Sequence, residues 1–371
     1  MSNPDPASRH DVIEIDNIAN QILQNCCICD SRHAGLFSVC GLALRLRDLY
    51  KWENRLDPWI EKDSSEILEW IGNKEEEWER VESEDFIDIT IRGTKYAPFN
   101  AAGINEVLEP HGLFYGAGYV HSLKPTFFLA ALEDKREIDG FPVYILGREM
   151  ARDLLTLPAL SQDGFIVIRK ESARLFLWNQ TFFLKKSRRE ALGFALENSG
   201  VNGQGSEELR QNLARISENE IGTYIYHELG GIRDPIFDRQ IWREIIATFP
   251  HTPIELLART VKDLLADTNE YGTLPYIARK RKTASLGFYV AFLDGLRKEL
   301  SLDLTEAFGQ FTQTRDWQVI EQSVTSCFKT AKYYADAICS IYQSGKEKND
   351  TKWTEREMEK RLLAPLGINR G

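Results

Sequence analysis

Four of the chain's six cysteines and one of its histidines fall within a single stretch, QNCCICDSRHAGLFSVC, Gln24 to Cys40. Thiolates and imidazoles are the usual ligands of zinc and iron, so Cys26, Cys29 and His33 are the first metal candidates. On one continuous helix Cys26, Cys29, His33 and Cys40 share a face about 60° wide. Cys26 and Cys40 would nevertheless stand about 21 Å apart along it, whereas zinc ligands lie within about 2.3 Å of the ion. A helix break at Asp30-Ser31, with one of these residues capping a second helix, would let Cys26, Cys29 and His33 converge. Cys40 would lie opposite a polar stripe of Ser38, Gly41, Arg45 and Asp48, and is expected to be a small buried hydrophobe. Core packing is the simpler account of all these thiols, because cysteine is among the residues most often buried and no second C-x-x-C or H-x-x-x-H pair completes a site.

A second constellation lies in EIGTYIYHELGGIRD, Glu220 to Asp234. At helical spacing Glu220, Thr223, His227, Gly230 and Asp234 share one face, opposite Ile221, Ile225, Leu229 and Ile232. Histidine flanked by carboxylates can build an acid–base or metal site when other helices contribute, which makes His227, Glu220 and Asp234 candidates. Asp263, with Asp267 and Glu270, would come from a nearby helix. An ordinary solvated face ranks ahead, since Glu255, Arg259 and Asp263 are spaced for i, i+4 ion pairs. His227-Glu228 lacks the second histidine of H-E-x-x-H.

Two basic clusters, Lys185, Lys186, Arg188 and Arg189, then Arg279 to Lys282, could bind a phosphate or a nucleic-acid backbone. VNGQGSEE, from residue 201, precedes a helix but has no lysine after its glycines, and Gly116-x-Gly118 lacks the third glycine of a dinucleotide fingerprint. No nucleophile elbow, kinase set or EF-hand loop is found.

The elements that must position these residues follow from periodicity. Residues 1–85 read as a helical segment, with Ile67, Trp70, Ile71 and Trp78 on one face. At FIDITIR the period changes to two, and 86–186 reads as an antiparallel α+β domain. Its strands are expected at 113–121, 125–133, 141–147, 165–170 and 173–183, with a turn at Asp139-Gly140, a polar link at Glu171-Ser172, and helices at 101–109 and 148–157. Residues 187–345 read as an all-helical domain. Thr252-Pro253-Ile254-Glu255 and Asp303 with Glu306 mark helix starts, and a long helix runs from about Asp316 to Ser344 with Gly345 as its C-cap. Residues 346–371 read as a charged tail with at most one helix. The fold class is therefore α+β, with a helical start, a central mostly antiparallel sheet and a helical end.

A chain of 371 residues, 43% hydrophobic, can bury cores for two or three domains. A formal charge of -10 argues against general binding to nucleic acid or an anionic membrane. The amino terminus lacks a secretory h-region and no apolar run approaches a bilayer span, so a soluble cytoplasmic protein is expected, its cysteines free thiols or ligands.

The stretches CDSRHAGLFSVCGLALRLRDLYKWE, KPTFFLA, ARDLLTLPAL, HELGGIRD, TPIELLARTVKDLLADT and ASLGFYVAFLDGLRKEL resemble signatures of an uncharacterised bacterial protein family. The resemblance implies a full-length relationship and carries no assigned activity or catalytic residues. Three functions are expected in this order. The first is a non-catalytic binding or assembly protein with a protein partner or as a homo-oligomer. The second is a metal-dependent enzyme with a His/carboxylate or Cys/His site holding zinc or iron. The third is a phosphate-ligand binder.

Overall fold

A computed structural model describes residues 14–120, 124–162, 164–182, 184, 188–201 and 206–368. The chain is α+β and divides into two units, one of residues 1–158 and 167–178, the other of 159–166 and 179–371.

The first unit opens with three helices, α1 (Ile15–His33), α2 (Val39–Glu53) and α3 (Ser64–Val81). A short hairpin, β1 (Ile89–Ile91) and β2 (Thr94–Tyr96), and helix α4 (Ala101–Leu108) follow. Then come β3 (Leu113–Val120), β4 (Lys124–Ile138), β5 (Phe141–Arg152), β6 (Ala159–Gln162) and β7 (Phe165–Arg169), which form a sheet in the order β3-β4-β5-β7-β6. Strands β3, β4 and β5 pair antiparallel, as the short links require. Asp139 and Gly140, both at positive φ, close the two-residue turn between the paired Ile138 and Phe141. Gly116 is glycine because a β-carbon there would stand 2.0 Å from the Phe128 ring on the neighbouring strand. One core packs Ile18, Ile22, Cys26 and Cys29 of α1 against Tyr115, Phe127 and Leu129 of the sheet and Ile104 of α4.

Three expectations about this unit are corrected. The strand expected over 173–183 is instead helix α5 (Lys170–Phe182), whose first turn absorbs the supposed polar link. There Ser172 Oγ donates to Glu149 Oε1 at 2.8 Å, and Glu171 Oε2 accepts the Glu149 amide at 3.0 Å. Of the helix expected over 148–157, residues 148–152 are the end of β5 and 153–157 form neither helix nor strand. Glu149 and Arg152 look like solvent positions in a hydrophobic pattern, yet both are buried in a charge network with Arg169, 2.8 Å from Glu149. Finally, β1 covers only Ile89–Ile91, because Asn25 of α1 takes both backbone groups of Ile87 in place of a strand.

The second unit is helical beyond its short β segment. Its helices are α6 (Arg189–Asn198), α7 (Ser206–Arg233), α8 (Arg239–Thr248), α9 (Pro253–Thr268), α10 (Thr273–Arg279), α11 (Thr283–Phe292), α12 (Gly295–Glu299), α13 (Leu302–Thr314), α14 (Trp317–Glu347) and α15 (Thr351–Met358). Thr252 Oγ1 accepts the Glu255 amide at 3.3 Å and Pro253 is the first residue of α9, while the Glu255 carboxylate turns back to the His251 amide at 2.6 Å. The expected long helix is α14; it continues past Gly345, which packs against Thr354 of α15. Asp303 does not cap α13, which starts at Leu302 without a side-chain cap; its carboxylate accepts from Ser326 Oγ instead. Beyond residue 346 the chain is not a simple charged tail, because Met358, Leu362 and Leu363 join the core of α9 and α14.

Candidate functional site

Helix α7 carries His227 and α9 carries Asp267, and what brings them together is a glycine. A β-carbon on Gly230 would lie 1.9 Å from the Ala266 carbonyl oxygen, so the two helices approach as closely as they do only because the side chain is missing. Asn269 Nδ2 seals the crossing by donating to the Gly230 carbonyl at 2.9 Å. One turn from this contact, His227 Nδ1 donates to Asp267 Oδ1 at 2.7 Å.

The other oxygen of Asp267 is equally committed. Tyr289 OH of α11 donates to Oδ2 at 2.8 Å and Arg297 Nη2 of α12 at 2.6 Å. A carboxylate whose side chain is 2% exposed thus receives three donors from three helices. The side chains of His227 and Arg297 keep 34% and 32% of their surface open. Arg297 Nε is buried without a partner.

The electrostatics follow from burial and pairing. Desolvation alone would hold Asp267 protonated, but His227 and Arg297 outweigh it and draw its pKa down to about 2. Burial likewise opposes the charge on His227; the Asp267 carboxylate wins, and with Glu228 and Asp263 raises the imidazole pKa to about 9. At neutral pH His227 is therefore an imidazolium, in a ratio of about 100 to 1 over the neutral ring. With Nδ1 fixed on Asp267, its remaining N–H, on Nε2, is a hydrogen-bond and proton donor. A general base must be neutral at its working pH, which this ring is not.

The other candidates from the same helix lie elsewhere. Glu220 is buried and accepts from Ser285 Oγ at 2.6 Å, with its pKa raised by desolvation. Asp234 holds the Ile236 amide at 3.0 Å beyond the end of α7. Asp263, half-buried, stands one turn before Asp267 on α9. Tyr289 and Arg297 carry no local sequence signal, because each is contributed singly by a helix remote in the chain.

Around the cysteine-rich stretch α1 runs unbroken from Ile15 to His33, so no turn gathers Cys26, Cys29 and His33. Cys26 and Cys29 donate to the β4 carbonyls of Phe127 and Pro125 at 3.3 and 2.9 Å, and burial pushes both thiols up, well away from thiolate. His33 Nδ1 sits 2.8 Å from the Cys29 carbonyl oxygen. Ligand atoms of Cys29, Asp30 and Asp153 do lie within 4.8 Å of one another. A cation is already there, since Lys124 Nζ is 3.0 Å from Asp30 Oδ1. Asp30 Oδ2 accepts the Leu154 amide, and Asp153 accepts those of Phe127 and Leu155. Every donor atom of this group has a protein partner, which makes it a structural charge cluster.

Cys40, expected in the core, is exposed. Arg45, on the supposed solvent stripe, reaches inward to the Leu154 carbonyl at 3.4 Å, and Asp48 is 8% exposed. The turned helix leaves Val39, Cys40 and Leu44 facing water, Val39 at 86% exposure, and Leu36 just before it is exposed as well.

Three of the four residues of the second basic cluster are engaged within the chain: Arg279 with the Glu270 carbonyl, Arg281 with Glu321, and Lys282 with the Asn219 carbonyl. Lys185, Lys186 and residues 202–205 of the glycine-rich stretch lie outside the described residues. Among the described residues no helix is long and apolar enough to cross a membrane.

No curated protein and no solved structure matches the chain. Two family models do, the N-terminal domain of a family of unknown function, DUF6866, over residues 17–169 and the C-terminal domain of the same family over residues 174–361. The chain belongs to the DUF6866 family, whose function is unassigned.

Proposed function

We propose that this chain is a non-catalytic binding protein of the cytoplasm whose helical unit engages a small oxyanion, phosphate or carboxylate, through His227 and Arg297. One observation carries the reading: a buried carboxylate, Asp267, holds two cationic side chains in fixed orientation while about a third of each remains open. Fixing the donors before the ligand arrives lowers the ordering cost of binding. The raised pKa of His227 favours a donor over a base, and so binding over proton abstraction. Six free cysteines support a reducing compartment. The exposed apolar residues of α2 support association with a protein partner or a second copy.

The test is a titration of ring-labelled protein with inorganic phosphate, followed by NMR at the His227 Nε2 resonance. Saturable shifts that disappear in Arg297→Gln are expected. A resonance that stays unmoved while phosphate reaches millimolar excess would sink the reading. A second reading, a general acid in an enzyme, is favoured by the proton held on Nε2. It differs in one outcome: substrate turnover lost in His227→Gln and retained at low pH by the wild type.

A further inference from the structure

A cavity of about 280 Å³ lies in the helical unit, apart from the His227 centre, and its lining divides by chemistry. Pro253, Leu363, Ala364 and Ile368 supply apolar walls, Arg356 and Lys360 supply two cations, and Glu359 supplies one carboxylate. Arg356 and Lys360, four residues apart, fall on one helical face, and the helix changes type beside them. After α15 the chain passes into one π-helical turn, Glu359–Leu363, in which the Ala364 amide donates to the Glu359 carbonyl. Arg356, Lys360 and Ala364, spaced by four, line the cavity, and Leu362 and Leu363 are buried in the core. Single π turns are rare and gather at functional sites, because the register shift is retained only where something gains from it.

We propose that this cavity binds a short apolar molecule with an anionic headgroup, a carboxylate or a phosphate, its body against Leu363 and Ile368 and its head between Arg356 and Lys360. Size and charge select the class. At roughly 30 Å³ per water, the space holds on the order of ten non-hydrogen atoms. Two cations against one carboxylate give the lining a net positive charge that favours an anion over a neutral ligand, whereas a bare anion would leave the apolar walls wet.

Isothermal titration of the full chain with sodium hexanoate, hexyl phosphate and 1-hexanol tests the proposal. Saturable binding of at least one anion is expected, tighter than hexanol by tenfold or more; the stronger of the two arms identifies the headgroup. The double variant Arg356→Gln/Lys360→Gln is expected to weaken the anion at least tenfold and to leave hexanol unchanged. Ala364→Trp, which fills the cavity, is expected to abolish both, with unfolding temperature as the check that the core is intact. No saturable binding below about 10 mM, equal affinity for hexanol, or full affinity in the double variant would each overturn it. Because Arg297→Gln leaves this cavity untouched, the two sites fail or hold separately.

Discussion

Gly230 and Ala266 meet so closely that a β-carbon on the first would stand 1.9 Å from the carbonyl oxygen of the second. The next glycine, Gly231, faces only the Ala266 β-carbon at 3.8 Å, an ordinary contact. The pair makes a controlled comparison. Gly230→Ala must push α7 off α9 and is expected to cost about 1–3 kcal/mol by overpacking. Gly231→Ala adds helix propensity without a clash and is expected to be neutral or stabilising by up to about 1 kcal/mol. Thermal unfolding of the two variants decides. The same shift should release His227 from Asp267 in the Gly230 variant alone, visible as a fall of its pKa from about 9 towards the ordinary imidazole range.

The His227–Asp267 pair also sets a pH dependence. His227 titrates higher folded than unfolded, about 9 against an ordinary 6.5, so its stabilisation is complete below about 6.5 and is lost as the pH rises through 9. Asp267 is depressed to about 2, so its share is present above about 4 and is lost as the pH falls through 2. Stability from this pair is therefore greatest between about pH 4 and 6.5. Between pH 6.5 and 9 the wild type is expected to lose on the order of 1–2 kcal/mol relative to His227→Gln, a range discounted because the imidazole is partly solvated. Denaturant unfolding of both proteins across that window checks it; parallel curves would show that the pair does not couple.

In the other unit Lys124 and Asp30 form an ion pair with each side chain 4% exposed. Burial raises the Asp30 carboxyl and Lys124 opposes it, so the carboxylate depends on that ammonium. Lys124→Met removes the partner and strands a buried acid, and is expected to cost about 3–5 kcal/mol. The double variant Lys124→Met/Asp30→Leu removes the stranded charge as well and should recover a substantial part of that loss. Equal destabilisation of the single and double variants, read by denaturant unfolding, would show that the cost is packing.

How far the sequence foretold this depends on where each residue finds its partner. Local signals read well: the Thr252 cap, the Asp139-Gly140 turn and the stripe of α14 each need only their own segment. Readings failed where a polar group is buried against a distant one. Glu149 and Arg152 disguised a strand as a helix, Glu171 and Ser172 disguised a helix start as a link, and Arg45 with Asp48 turned α2 over. Hydrophobic periodicity scores each of these as facing solvent. At the His227 centre the histidine and the helix carrying Asp267 were legible. Tyr289 and Arg297 were not, since no spacing rule links residues on α7, α9, α11 and α12.

The turned α2 also decides which thiol reacts. Cys40 is exposed, whereas Cys26 and Cys29 are 2% and 0% exposed and hydrogen-bonded to strand carbonyls. Burial pushes Cys27, only half-covered, up to about 12. Attack on a disulfide reagent needs both access and thiolate; Cys27 and Cys339, half-covered, are held as thiols by burial, which leaves Cys40 as the exposed thiol. Native protein treated with an aromatic disulfide at pH 8 is expected to release one fast equivalent, removed by Cys40→Ser. Cys26 and Cys29 should react only at the rate of unfolding. Fast labelling of Cys29 in the folded protein would mean that α1 opens from β4, and would revive a thiol site where the structure places core.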